Sequence, residues 1–247
     1  MSKGNTVCIF GPKGGIGKSI FCTSLAGVMA NLKKKTLIID LDLTNGTIGC
    51  LLNLKIKRTI YNYYDDYLNN RFDKIEDYVI KYNDYIDIIS SPKDPRQANK
   101  IDYRCLESLI DKAKYKYDAV LIDTSSTLNE ISVFALDKVD LILFMTNNDL
   151  VSLKNLKNVL NIMKDNEIKD YKIILNSASN PSKNYFSLYD IKNILGKNID
   201  YHLSNFYCKK IDSLMMDGEI ITLKYHDFKD YHIFNLICND ILGGNNE

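Results

Sequence analysis

Lys13 and Lys18 stand five positions apart in the glycine-rich stretch GPKGGIGKS, Gly11 to Ser19, where one lysine would suffice to hold a phosphate. The stretch follows a short apolar run and opens a segment of helical period, so successive backbone N–H groups and a helix N-terminus converge on one spot. That spot binds phosphate. Lys18 would reach the β- and γ-phosphates and Ser19 would ligate Mg2+, the two side-chain roles that follow the last glycine of a phosphate loop. The strict spacing G-x-x-x-x-G-K-[ST] fails by one position, because Pro12 stands where its first glycine belongs.

Three further apolar runs end in polar side chains. LIIDLDLTNGTIG places Asp40 and Asp42 at the C-terminal edge of a strand, where open α/β sheets bind ligands, and alternation turns both carboxylates to one side. YDAVLIDTSS runs four apolar residues into Asp123, the form of a buried central strand ending in a Walker B carboxylate. YKIILNSAS ends on Asn176, whose amide offers both a donor and an acceptor. The plainer reading is a strand-end turn residue for Asp40, Asp42 and Asn176, and a helix cap for Asp123.

Positioning these groups requires a sheet with all its ligand-facing ends on one edge. Strands are predicted at Thr6–Phe10, Thr36–Leu41, Ile86–Ser90, Ala119–Asp123, Leu141–Thr146, Lys172–Asn176 and Ile199–Leu203. Helices are predicted at Lys18–Leu32, Tyr103–Ala113, Glu130–Lys138, Leu150–Lys164, Leu188–Leu195 and Asp230–Leu242. Such alternation is the pattern of crossover units on a doubly wound, mostly parallel α/β sheet flanked by helices. One domain over residues 1–247 is expected, with the weakly periodic region Arg58–Asp84 as an insertion packed on a sheet edge.

Composition narrows the chemistry. The 32 Lys and Arg almost balance the 31 Asp and Glu, so global charge gives no reason to expect a nucleic-acid or membrane-surface binder. No stretch approaches the ~18 apolar residues of a membrane span, and MSKGNTV runs straight into a strand, so a cytoplasmic protein without a signal peptide or direct membrane anchor is expected. The six cysteines are scattered without a C-x-x-C pair and read as buried small hydrophobes.

The motif Lys13-Gly14-Gly15-Ile16-Gly17-Lys18-Ser19 resembles the deviant Walker A motif of the ParA/MinD superfamily of ATPases. The resemblance implies a P-loop NTPase fold and an ATP/ADP and Mg2+ site on Gly14, Gly15, Ile16, Gly17, Lys18, Ser19 and Ile20. It makes Lys13 the family's signature lysine, which crosses a two-fold axis to the phosphates held by the other subunit. Charge argues the same way, since closing two triphosphates face to face needs cation beyond one lysine and one metal per site. The resemblance further implies that Asp42 orients the attacking water, that Asp40 supports the magnesium shell, that Asp123 holds Mg2+ through a water, and that Asn176 contacts adenine.

DTSSTLNEISVFALDKVDLILFMTNNDLVSLKNLKNVLNIM and DLDLTNGTIG are similar to the CpaE/TadZ-type pilus-assembly branch, the second in its D-L-D-L-x-x-G form. This implies a homodimer formed on ATP that separates after hydrolysis and places or assembles a protein partner of a localisation or pilus/secretion machine, at a pole or membrane site. Three features depart from the pattern. Ile20 replaces a second hydroxyl residue, Ser125 stands where proline or glycine is common, and the loop begins at Gly11, without the receiver-like domain that usually precedes it. A nucleotide-bound scaffold with little hydrolysis, a ParA-type DNA-partition ATPase and a metabolic P-loop ligase are the competing expectations. The C-terminal DYHIFNLICNDILGGNNE reads as core packing through Ile233, Leu236, Ile237 and Ile241 rather than as a membrane helix.

Overall fold

The computed structural model describes residues 3–72, 74–164, 170–177, 185–204 and 214–243. Its elements run β1 (Asn5–Phe10), α1 (Lys18–Asn31), β2 (Thr36–Leu41), α2 (Ile48–Leu51), α3 (Ile60–Leu68), β3 (Ile80–Lys81), β4 (Ile86–Ile89) and α4 (Tyr103–Lys114). They continue with β5 (Ala119–Thr124), α5 (Glu130–Lys138), β6 (Leu141–Thr146), α6 (Leu150–Lys164), β7 (Tyr171–Asn176), α7 (Leu188–Leu195), β8 (Tyr201–Leu203), α8 (Ile221–Lys224) and α9 (Tyr231–Ile241).

The strands form one eight-stranded sheet in the order β3-β4-β2-β5-β1-β6-β7-β8. Every pairing is parallel except β3 with β4. Alternation divides the core between the two faces. Cys8, Phe10, Leu37, Ile39, Val120, Ile122 and Phe144 pack with α3 to α7, whereas Val7, Ile9, Ile38, Leu121, Leu143 and Met145 pack with α1 and α9. This is the doubly wound architecture that the alternation of runs implies. The central strands are apolar on both faces because helices cover both. The chain runs from β1 through α1 past the position of β5 to β2 on one side, and later from β5 across β1 to β6 on the other, so a crevice opens at the C-terminal ends of β1, β2 and β5.

The expected elements appear within one or two residues of their bounds, and the additions lie where periodicity is weakest. Between 58 and 84 the described residues include α3, a single 3-10 turn and the short edge strand β3. Little in IYNYYDDYL announces a helix, and tertiary packing supplies what propensity lacks: Tyr63 is fully buried, with its ring 5.1 Å from Phe72 and 5.3 Å from Tyr78. At the C-terminus α9 buries Phe234, Ile237, Cys238 and Ile241, an i, i+3, i+4, i+7 stripe. Leu236, expected in the core, is 45% exposed because it lies off that stripe. Cys8, Cys22, Cys105 and Cys238 are buried free thiols, Cys50 is exposed on α2 instead, and Cys208 lies outside the described residues. No helix among the described residues is long and apolar enough to cross a membrane.

Candidate functional site

The glycine-rich turn leaves β1 at the centre of the sheet and enters α1 through Gly17, which adopts φ 93°, while Gly15 adopts φ 73°. Both are left-handed conformations that a Cβ would penalise. No side chain caps α1, and its first turn holds no acidic residue, so its free N–H groups and positive dipole end are left to an external anion. A cavity of about 440 Å³ opens over this terminus, lined among others by Gly14, Gly15, Lys18, Ser19, Asp42 and Ser126. Ile20 lines it too and offers only hydrocarbon where a hydroxyl was expected.

Inside the crevice, β2 and β5 lie in a register that sets Asp40 beside Asp123, and β1 sets Ile9 beside Asp123 on the other flank. Asp123 is 1% exposed, and neither carboxylate oxygen has a hydrogen-bond partner. Burial pushes its pKa up to about 6; the neighbouring Ser19 hydroxyl, which falls short of full hydrogen-bond geometry, and the Lys18 ammonium draw it back, and the Asp42 charge adds to the rise. Lys18 is itself buried, which lowers its pKa against the opposing pull of Asp123 and Asp42. A buried, unpartnered carboxylate beside a serine hydroxyl is a hard oxygen donor set awaiting a cation, and it fits Mg2+.

Asp40, expected to support the magnesium shell, accepts two backbone N–H groups. It is fully buried, its Oδ1 accepts from the Asp42 N–H at 3.2 Å and its Oδ2 from the Ile48 N–H at 3.3 Å. Burial, with the Asp123 charge added, holds its carboxyl well above the usual range. The side chain braces the loop from 42 to 48. Asp42 stays half-buried at the cavity wall, where its Oδ1 accepts from the Asn45 N–H at 3.1 Å. A second cavity, of about 370 Å³, shares Asp42, Asn45 and Ser126 with the first, so Asp42 stands between the two.

Lys13, expected to reach a second subunit, is held within its own chain: its Nζ donates to Asp149 Oδ2 at 2.7 Å. The other oxygen of Asp149 accepts from the Ser152 N–H at 3.0 Å and caps α6. Burial alone would raise the Asp149 pKa, yet Lys13 and the Ser152 N–H prevail and hold it below the ordinary value. The D-x-x-S spacing could have found Asp149 as a cap; nothing in the sequence pairs it with Lys13.

Asn176, expected to face adenine, also bonds to the phosphate loop. It is fully buried at the end of β7, and its Nδ2 donates to the Ile16 carbonyl oxygen at 2.9 Å, which commits that donor to the loop. Asn155, which sequence reasoning did not single out, donates through Nδ2 to the Pro12 carbonyl oxygen at 3.1 Å. Ser125 joins a hydroxyl cluster with Thr127 and Ser132, at 3.1 and 3.2 Å, that ties the end of β5 to α5. The crevice thus gathers Lys18, Ser19 and Asp42 around one cavity, buries Asp123 and Asp40 side by side at the strand ends next to them, and leaves Lys13 bonded to Asp149 and Asn176 to the loop.

The family model AAA_31, described as an AAA domain, matches residues 4–176. The fold is similar to that of a ParA family ATPase from Chlorobium tepidum TLS, with TM-score 0.84, 19% identity, and 96% of this chain and 98% of that one covered. It is also similar to the septum site-determining protein MinD of Pyrococcus horikoshii OT3 complexed with Mg-ADP, with TM-score 0.79, 21% identity, and 98% and 96% covered. A chromosome partitioning protein ParA of Myxococcus xanthus is 24% identical over 159 residues, 62% of this chain and 56% of that protein.

Proposed function

The chain belongs to the AAA_31 family, and from that membership we propose that it is an ATPase that dimerises on ATP, separates after hydrolysis, and uses the cycle to position or assemble a protein partner. The observation that carries the proposal is Asp123: an ionisable, unpartnered carboxylate buried beside Lys18 and Ser19 under an uncapped helix N-terminus. Such a site is costly to maintain unless a metal-bound anion fills it. Ser19 and Asp123 would hold Mg2+, which supplies positive charge to the β- and γ-phosphate oxygens when bound.

The remaining work falls to side chains. Lys18 neutralises charge on the transferred phosphoryl, and Asp42, at the wall between the two cavities, orients the water for in-line attack. Lys13 must leave Asp149 to serve a neighbour's triphosphate. One exposed ion pair is worth roughly 0.2–1 kcal/mol, small against the attraction of a triphosphate, so the exchange is affordable. The similarity of DLDLTNGTIG and the Asp123–Met163 segment to pilus-assembly ATPases points to a partner in such a machine, and the whole of residues 1–247 would act as one ATPase domain.

Gel filtration with ATP and Mg2+ tests this reading. Lys18→Ala should lose ATP binding, and Asp42→Ala should bind ATP and accumulate as dimer; a monomeric Asp42 variant would refute the switch. A second reading, a nucleotide-bound scaffold with little hydrolysis, is favoured by the apolar Ile20 in the cavity wall. Sustained phosphate release without any partner excludes it.

A further inference from the structure

Two side-chain amides grip the phosphate loop from behind. Asn155, in the second turn of α6, donates to the Pro12 carbonyl at 3.1 Å, and Asn176, the last residue of β7, donates to the Ile16 carbonyl at 2.9 Å. The two carbonyls bracket Lys13, Gly14 and Gly15, the stretch that must present N–H groups to a phosphate. None of Pro12, Ile16, Asn155 and Asn176 lines the 440 Å³ cavity, so both bonds form on the side of the loop turned away from it. The distinction matters electrostatically, because a peptide that flips brings its carbonyl oxygen toward the anion in place of its N–H. Glycines flip readily, and Gly14 and Gly15 have open space where a Cβ would stand. The glycines that let the loop close on a phosphate therefore also let it open, unless something fixes its carbonyls.

We propose that Asn155 and Asn176 are positioning residues that hold the carbonyls of Pro12 and Ile16 away from the nucleotide, so that both act on the polyphosphate through the loop. This rests on the nucleotide-binding reading given above. It assigns to the β6-α6-β7 unit the upkeep of a loop whose own ends belong to β1 and α1. Asn176 is sealed under Ile16, which is itself 1% exposed, so the grip on that side is dry. The grip on Pro12 is half-exposed. Asn176 should accordingly contribute the larger share, since a hydrogen bond shielded from water is harder to replace.

Calorimetric titration of the full chain with ADP, GDP and inorganic tripolyphosphate, each with Mg2+, tests the proposal on Asn155→Leu and Asn176→Leu, which keep side-chain volume and remove the donor. Both variants should bind all three ligands roughly three- to tenfold more weakly, the range one lost donor supports, with the ADP-to-GDP ratio of Asn155→Leu unchanged. The thermal midpoint of Asn155→Leu should match the wild type, which separates loop geometry from general stability. An Asn176→Leu protein with an altered ADP-to-GDP ratio and unchanged tripolyphosphate binding would overturn the proposal in favour of a base contact. Should the buried Asn176 change prevent folding, Asn155→Leu decides alone: tripolyphosphate binding equal to wild type overturns the proposal, and weakened binding upholds it. A wild-type chain that binds none of the ligands would sink the nucleotide reading itself, an outcome distinct from variants that bind as wild type does.

Discussion

Replacing Asp123 by asparagine should remove a pH dependence from the stability of the ligand-free protein. The folded carboxyl titrates near 6 against an ordinary 3.8, chiefly because burial disfavours its charge. A raised folded pKa means the native state holds its proton more tightly than the unfolded chain does, so the stabilisation is complete below 3.8 and disappears as pH rises through 6. At 1.36 kcal/mol per pKa unit the loss totals about 3 kcal/mol, of which roughly half falls between about pH 5 and pH 8. Asparagine has no charge to desolvate. Its buried amide costs about 1–3 kcal/mol, but equally at every pH. The quantity to measure is therefore the difference in urea unfolding free energy between wild type and Asp123→Asn across that interval, which reports the Asp40–Asp123 pair together, because the Asp123 charge is one of the causes that raise Asp40. A difference that narrows by on the order of 1–2 kcal/mol as pH rises is expected. A constant difference would refute the argument that an uncompensated charge sits at this position. Adding ADP and Mg2+ at the alkaline end should stabilise the wild type and leave the variant nearly unmoved.

Gly17→Ala would force a Cβ onto a residue at φ 93° and should cost about 1–2 kcal/mol in thermal or urea unfolding, with weaker ADP binding by calorimetry. Asp149→Asn should change stability by less than about 1 kcal/mol, because asparagine still caps α6 and the lost ion pair is exposed at 36% on the Lys13 side. Asp149→Ala, which loses the cap as well, should cost about 1 kcal/mol more in the same assay.

Most of the scaffold was legible because it rests on short-range rules. β-branched runs such as LIIDL and AVLID can be buried strands, and glycines before an apolar helical period can only be a turn with a purpose. That the glycine-rich loop, Asp42 and Asp123 lie together followed from where strands end in an open sheet. What escaped depends on partners distant in the chain. Asp40 and Asn176 sit at their strand ends as read, yet their bonds to the Ile48 N–H and the Ile16 carbonyl come from residues 8 and 160 positions away. Asn155 lies on a helix with no local mark of function, since its partner Pro12 is 143 residues earlier. The helix α3 was missed for the related reason that its stability is borrowed from Phe72 and Tyr78.

The sheet ends on one flank in a two-residue strand and on the other in a three-residue strand, β3 and β8. Such stubs offer almost no ladder for another molecule to extend, a device that guards against fibre-like growth. Any regular self-association is thereby steered to the end of the sheet where the loops emerge or to the helical sides. Two copies meeting there would face each other across their glycine turns instead of joining flank to flank.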